Sequence, residues 1–191
     1  MLSLAPPLDN LIHSPLHRSM YQMLRLGHEH VADFRRLRLA ALHDAPSAFT
    51  TSLATEEGMA EAQQRDRIAG PSLSAVWGAF DASGTMVAST GVLHLLQDKV
   101  VHKASVYAVY VAPSARGRGL SRQLVEAAIA YARSQPQLHQ LQLSVTGTNV
   151  QAHKLYCALG FVEYGREPRA ILADGSYHDQ ILMTMDLRPA A

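Results

Sequence analysis

One continuous segment, residues 104–134, constrains the fold most, because a strand pattern there runs through a glycine loop into a helix pattern. Residues 104–111, ASVYAVYV, are rich in Val and Tyr and stop at Ala112-Pro113, as strands do. Residues 117–134 repeat small and apolar side chains at helical spacing, which predicts a helix with one buried face. Strand, loop and helix in succession indicate a fold in which helices cover a sheet.

The rest of the chain continues this alternation of strands and helices. The predicted class is therefore α/β (α+β), with a mixed sheet and a single domain from residue 19 to residue 191. Residues 1–18 contain three prolines and no basic start, so we expect a flexible N-terminal arm rather than a signal peptide. Predicted strands are 19–26, 73–80, 86–96, 104–111, 141–145, 161–167 and 179–187, and predicted helices are 29–43, 50–69, 117–134 and 150–159.

Composition excludes several classes of protein. The 17 basic and 16 acidic residues leave a net charge of +1, so the chain lacks the basic excess of a dedicated nucleic-acid binder. The single cysteine, Cys157, permits no internal disulfide and no cysteine-based metal site, and we expect it to be buried. His28 and His30 suggest no third ligand, so no metal is expected. No apolar stretch is long enough to span a membrane, and a cytoplasmic protein without a membrane or nucleic-acid partner is expected.

The loop Arg116–Ser121 has the chemistry of an anion site. N–H groups at a helix start carry partial positive charge, and glycines allow an anion to approach the backbone closely. Arg116, Arg118 and Arg122 add positive charge, so a phosphate or pyrophosphate is the expected ligand. The loop has neither the lysine of a P-loop nor the third glycine of a Rossmann fingerprint. On these residues alone, a loop that binds no ligand remains an alternative.

The loop resembles the acyl-CoA-binding loop of the GNAT superfamily of N-acyltransferases, whose pattern is [QR]-x-x-G-x-[GA] after a strand ending V-x-P. Arg116, Gly119 and residues 111–113 fit this pattern, whereas Ser121 stands where glycine or alanine is usual.

A second GNAT signature follows in the expected order. The segment 149–161 resembles N-x-x-A-x-x-L-Y-x-x-x-G-F, and the resemblance extends over residues 19–187. It implies a mixed, mostly antiparallel central sheet of about seven strands flanked by about four helices. It also allows a homodimer, since dimers are common in the family. The matching residues of the second signature are Asn149, Ala152, Leu155, Tyr156, Gly160 and Phe161.

The resemblance implies transfer of acetyl from acetyl-CoA to a primary amine by direct attack. Tyr156 would be the general acid that protonates the departing thiolate. The acceptor would be a small amine, an amino-acid derivative or a peptide N-terminus. Two alternatives stay open, namely a non-catalytic acyl-CoA sensor of the same fold and a nucleotide- or phosphate-binding module. The implied acetyl-CoA-binding residues are Val109, Tyr110, Val111, Arg116, Gly117, Arg118, Gly119, Leu120, Ser121, Arg122 and Asn149.

The base that deprotonates the amine is not evident, because the strand 104–111 contains no carboxylate. Glu56, Glu57 and His94 are candidates, and water without a single dominant base is the expected answer. Residues His178 and Asp179, beside a predicted turn at Asp174-Gly175, are further candidates for the acceptor pocket. The arginines at 35, 36 and 38 are expected to form a solvated helix face, with contact to an acidic acceptor as the alternative.

Overall fold

The computed structural model describes residues 20–69 and 73–188. The predicted N-terminal arm, residues 1–18, lies outside these ranges. The strands are β1 (Gln22–Arg25), β2 (Ala75–Phe80), β3 (Met86–His94), β4 (Lys103–Val111), β5 (Gln140–Thr146), β6 (Val162–Ala173) and β7 (Ser176–Asp186). The helices are α1 (Val31–Asp44), α2 (Leu53–Glu57), α3 (Glu61–Ala69), α4 (Leu120–Ser134) and α5 (Val150–Ala158).

The seven strands form one mixed sheet in the order β1-β2-β3-β4-β5-β7-β6. Every neighbouring pair is antiparallel except β4 and β5, which are parallel. This is the mostly antiparallel, seven-stranded sheet that the resemblance implied. The turn predicted at Asp174-Gly175 joins β6 to β7, and both of its residues have positive φ angles.

Side-chain alternation along the central strands builds a core on each face of the sheet. In β2, Ala75 and Trp77 pack in a cluster with Leu124 of α4. Val76, the residue between them, packs with Phe34 of α1 in a second cluster. Successive side chains of a strand point to opposite faces, so one strand contributes to both cores. The sheet therefore lies between α4 on one face and α1 with α3 on the other.

Two predicted helices have different bounds in the structure. The helix predicted over 50–69 is two helices, since α2 ends at Glu57, with Gly58 as its C-cap, and α3 begins at Glu61. The helix predicted to begin at residue 117 begins at Leu120, since Gly117 and Gly119 have φ angles of 74° and 76°. That left-handed region is accessible to glycine at little cost and interrupts a helix. The split gives five α-helices in the described ranges, where about four were expected.

The sheet opens in its middle, between β4 and β5. These strands pair at only three positions, from Lys103–Gln140 to Ser105–Gln142, although both continue well beyond them. On its other side, β4 pairs with β3 through a bulge, in which Ala108 and Val109 oppose a single residue. Ala108 has a φ of 52°, and its carbonyl accepts a 2.9 Å hydrogen bond from Ser89 Oγ. The bulge bends β4, and the two strands diverge to leave a gap through the sheet.

Across residues 20–69 and 73–188, no helix is long and apolar enough to cross a membrane.

Candidate active site

A cavity of about 640 Å³ occupies the gap between the diverging strands. Val109, Tyr110 and Val111 of β4 form one wall, and Ser144 to Thr146 of β5 form the other. Since β4 and β5 no longer pair at this level, the strand edges that face each other across the gap lack sheet partners there. Such edges can hydrogen-bond an extended ligand as another strand would.

The N-terminus of α4 closes one end of this cavity. Gln123 makes the first hydrogen bond of the helix, from its N–H to the Gly119 carbonyl at 3.2 Å. The N–H groups of Leu120, Ser121 and Arg122 precede that bond, so they are the donors that a helix start leaves unpaired within the helix. All of residues 116–122 line the cavity. The predicted anion loop therefore faces the gap, and Ser121 lies at the helix start as a small residue.

The three loop arginines line the cavity but have other partners as well. Arg116 donates from Nε to the Val111 carbonyl at 3.1 Å and from Nη2 to the carboxylate of Asp44. Arg122 pairs with Glu126 at 3.5 Å, with both side chains half exposed. The Arg118 guanidinium lies 5.8 Å from the centre of the Tyr21 ring. Arg116 thus holds the end of β4 against α1, a contact between distant segments that no local pattern predicts.

Asn149 caps α5 at the mouth of the same cavity. Its Oδ1 accepts a 3.1 Å hydrogen bond from the Ala152 N–H, which is the usual contact of an N-cap asparagine. It also lines the cavity, so the cap leaves it adjacent to the space where a ligand would lie.

The other end of α5 fixes Tyr156. Gly160 has a φ of 95°, and the Phe161 N–H donates to the Tyr156 carbonyl at 3.0 Å. A left-handed glycine thus ends the helix, and the ring of Phe161 packs edge-on against Tyr156 with 5.9 Å between the ring centres. The same turn that ends the helix therefore holds the aromatic ring in place.

Tyr156 is buried and lies between two cavities. It is 6% exposed, and burial raises the pKa of its phenol to about 12. The hydroxyl therefore keeps its proton at neutral pH, which is the state that a proton donor needs. Tyr156 lines the large cavity and also a second one, of about 330 Å³, on the other side of the gap.

The second cavity meets the first at Val109, Ser144 and Tyr156. Its walls come from α1, α3, the loop after α1 and the bulged part of β4, with Arg38, Arg67 and Tyr107 among the lining residues. The Thr146 hydroxyl ties this loop to β5 by donating to the Ser47 carbonyl at 2.6 Å. The two cavities therefore lie side by side where β4 and β5 separate.

The three side chains considered as general base do not line either cavity. Glu56 is 1% exposed and is held by Arg67 at 2.7 Å and Arg38 at 3.5 Å. Glu57 is exposed, and His94 bonds through Nε2 to the Val101 carbonyl at 2.7 Å. His178 and Asp179 are also absent from the cavity linings, and Asp179 instead accepts from the Arg169 N–H at 2.8 Å.

Two further expectations were wrong. Cys157 is exposed, because its position on α5 is next to the buried face rather than on it. Arg38 is 7% exposed, although a solvated helix face was expected. The helical spacing predicts this burial, because Arg38 is four residues after Phe34 and three before Ala41, and both of these residues are buried. In residues 20–69 and 73–188 there is no group of three or more His, Cys, Asp or Glu side chains suited to a metal ion.

Comparison with known proteins places the chain in a family. The sequence pattern of the Acetyltransferase (GNAT) family matches residues 39–161, which include β4, the loop, α4 and α5. The chain belongs to the GNAT acetyltransferase family. Members of this family use acetyl-CoA, and the two sequence signatures both lie inside the matched region.

Curated relatives match over part of their length. The chain is 30% identical over 89 residues to the spermidine N(1)-acetyltransferase of Vibrio cholerae, covering 47% of this chain and 51% of that protein. It is 27% identical over 93 residues to the corresponding enzyme of Escherichia coli K12, covering 49% and 50%. The chain thus spans about half the length of these relatives.

Solved structures share the GNAT fold over most of the chain. A GNAT acetyltransferase from Streptococcus pneumoniae superposes with a TM-score of 0.74 at 22% identity, covering 87% of this chain and 99% of that one. A Salmonella typhimurium protein, solved with its cofactor acetyl-CoA, superposes with a TM-score of 0.72 at 21% identity, covering 91% and 97%.

Proposed function

We propose that this GNAT protein transfers the acetyl group of acetyl-CoA to a primary amine. One observation supports this most strongly: the cavity lined by the α4 N-terminus adjoins a separate second cavity, and Tyr156 lines both. A cofactor with an anionic end and an extended arm fits the first cavity, and an acceptor fits the second.

In the proposed complex, N–H groups of residues 117–122 bind the pyrophosphate of acetyl-CoA. Val109, Tyr110 and Val111 offer backbone groups to the pantetheine arm and polarise the thioester carbonyl, and Asn149 hydrogen-bonds the arm. These contacts use preorganised backbone dipoles, which lower the energy of a developing oxyanion. Holding the two reactants in adjoining cavities supplies the proximity that a direct reaction needs.

The proposed reaction forms one C–N bond and breaks one C–S bond. The neutral amine attacks the thioester carbon, and the electron pair of the C–S bond leaves with sulfur. Tyr156 donates a hydrogen bond from its O–H to the departing sulfur, and the proton that the amine nitrogen gives up passes through water to the thiolate. Water takes this role because Glu56 is bound between two arginines and no cavity-lining residue of the described ranges is Glu, His or Lys. Asp44 does line the first cavity, but its carboxylate is paired with Arg116 and accepts a hydrogen bond from the Tyr110 hydroxyl. No metal enters this proposal.

Ligand binding and thiol release test the proposal in sequence. Thermal-shift titrations should show stabilisation by acetyl-CoA and CoA and none by ATP; stabilisation by ATP alone would contradict it. Thiol release across a panel of amines, spermidine included because the curated relatives are named for it, then separates an enzyme from a sensor. Binding of acetyl-CoA without release for any amine would favour the sensor.

A further inference from the structure

Two guanidinium groups and one carboxylate stand beside the second cavity. Arg38 of α1 and Arg67 of α3 line it, and Glu56 of α2 lies behind them. The Glu56 Oε1 atom is 2.7 Å from Arg67 Nη1, and its Oε2 atom is 3.5 Å from Arg38 Nε. One buried carboxylate therefore pairs with two guanidinium groups, so the three side chains together carry a net positive charge.

Arg38 is farther from the Glu56 carboxylate than Arg67 is. Its side chain is 8% exposed, and its Nε and Nη1 atoms are buried without a hydrogen-bond partner among the described residues. The Phe49 ring stacks 4.4 Å from the guanidinium carbon and fixes the plane of the group. Burial lowers the pKa of Arg38, because taking a charge out of water favours the neutral form. A buried guanidinium with unpaired N–H groups destabilises the fold, unless a ligand accepts hydrogen bonds from those groups.

The rest of the cavity offers no compensating negative charge. None of the described residues that line it is Asp or Glu, and the polar lining groups include Thr50, Thr51 and Gln180. A polycationic amine would place charge of the same sign close to the arginines, where the low local dielectric strengthens repulsion. A carboxylate would instead accept hydrogen bonds from a guanidinium, whose N–H groups match the spacing of the two carboxylate oxygens.

We propose that the amine acceptor also carries a carboxylate, which Arg38 and Arg67 bind while the amine faces Tyr156. This inference rests on the proposed acetyl transfer and names its substrate class: small amino acids and related amino carboxylates. The cavity volume of about 330 Å³ is at the lower end for ligand sites, in keeping with such small molecules. Arg38 and Arg67 act in this role as specificity-determining residues.

Matched acceptors test the inference on the unmodified protein. A series of amino carboxylates is compared with their carboxamides, which keep the shape and the amine but lack the charge, and with diamines and spermidine. We expect kcat/KM for the best carboxylate to exceed that for its carboxamide by about 10- to 100-fold, the range of a charged hydrogen bond. Equal values, or a preference for spermidine, would overturn this inference while leaving acetyl transfer to amines intact.

Substitution of Arg38 links the preference to the cavity. Arg38→Met should raise KM for the carboxylate about 10- to 100-fold and leave KM for the carboxamide and for acetyl-CoA within about twofold. Arg36→Met is the matched control, since Arg36 is on the same helix, half exposed and paired with Asp33 outside the cavity. An equal loss for carboxylate and carboxamide would assign Arg38 a structural role only and refute the proposal.

A binding measurement covers the case in which Arg38→Met does not fold. Carboxylates of the same chain length without an amine should inhibit the wild-type protein competitively against the acceptor, and their neutral amides should not. If neither inhibits, the carboxylate site is refuted. Failure of the protein to bind acetyl-CoA or release thiol with any amine is a separate result, which would refute the proposed function itself.

Discussion

Replacing Tyr156 by Phe removes one hydroxyl and keeps the ring that packs against Phe161. Burial raises the pKa of Tyr156 to about 12, whereas an ordinary thiol has a pKa of about 8.5. Complete proton transfer from the phenol to a thiolate is therefore uphill by about 5 kcal/mol, at 1.36 kcal/mol for each pKa unit. In the transition state the hydroxyl thus acts mainly as a hydrogen-bond donor to the developing charge.

The expected loss follows from that role. A hydrogen bond to a charged group contributes about 1.5–3 kcal/mol, so Tyr156→Phe should lower kcat about 10- to 150-fold. KM for acetyl-CoA should stay within about twofold, because the ground-state thioester sulfur bears no charge to be stabilised. Thiol release under saturating acetyl-CoA measures kcat, and a thermal melt verifies that the variant is folded.

Tyr131→Phe provides the matched control. Tyr131 packs edge-on against Trp77, at 5.3 Å between ring centres, and lines neither cavity. Its variant should keep wild-type kcat. An unchanged kcat in Tyr156→Phe would refute the donor role. A loss confined to KM for acetyl-CoA would show that the hydroxyl binds the cofactor without assisting departure of the thiol.

Three further measurements follow from the same geometry. Gly119 and Gly84 have φ angles of 76° and 79°, so the variants Gly119→Ala and Gly84→Ala should each lose about 1–2 kcal/mol of stability in urea unfolding. Only Gly119→Ala should also weaken acetyl-CoA binding, measured by calorimetry. Equal acetyl-CoA affinity in the two variants would contradict the assignment of the loop to the cofactor. Gly91→Ala would put a Cβ 2.3 Å from the Tyr107 ring, so the melting temperature of the variant should fall and its KM for the acceptor should rise. An unaltered KM would show that the position of the Tyr107 ring does not affect the acceptor cavity. The raised pKa of Tyr156 stabilises the fold at pH values below about 10, and about 3 kcal/mol of the free energy of unfolding should be lost by pH 12. Tyr156→Phe should not show this loss when unfolding is measured at increasing pH. Identical pH dependence in both proteins would contradict the raised pKa.

The local parts of the site could be predicted from the sequence, because each depends on neighbours in the chain. Gly119 before α4, the cap at Asn149 and the left-handed Gly160 all have hydrogen-bond partners within five residues. Apolar and β-prone runs likewise predicted each strand of the sheet, with alternation of apolar residues as the signal in 141–145 and 179–187. These features follow from backbone propensities that the sequence carries directly.

The parts that were not foreseen depend on contacts between distant segments. Glu56 was a candidate base until its ion pairs with Arg38 and Arg67 became visible, and these residues lie on three different helices. The contact of Arg116 with Asp44 spans 72 residues. The separation of β4 from β5 likewise depends on a bulge whose register no local pattern specifies. Such pairings arise from tertiary packing, which periodicity does not encode.

The two cavities share Ala48, Phe49, Val109, Ser144 and Tyr156, and otherwise have separate walls. The loop of residues 116–122 belongs to the first cavity alone, whereas Arg38 and Arg67 belong to the second alone. Under the proposed function, donor and acceptor specificity are therefore separable properties of this scaffold. Substitutions on α1 and α3 could change which amine is acetylated while the cofactor contacts stay as they are, so a library built to obtain new acceptors would vary those helices first.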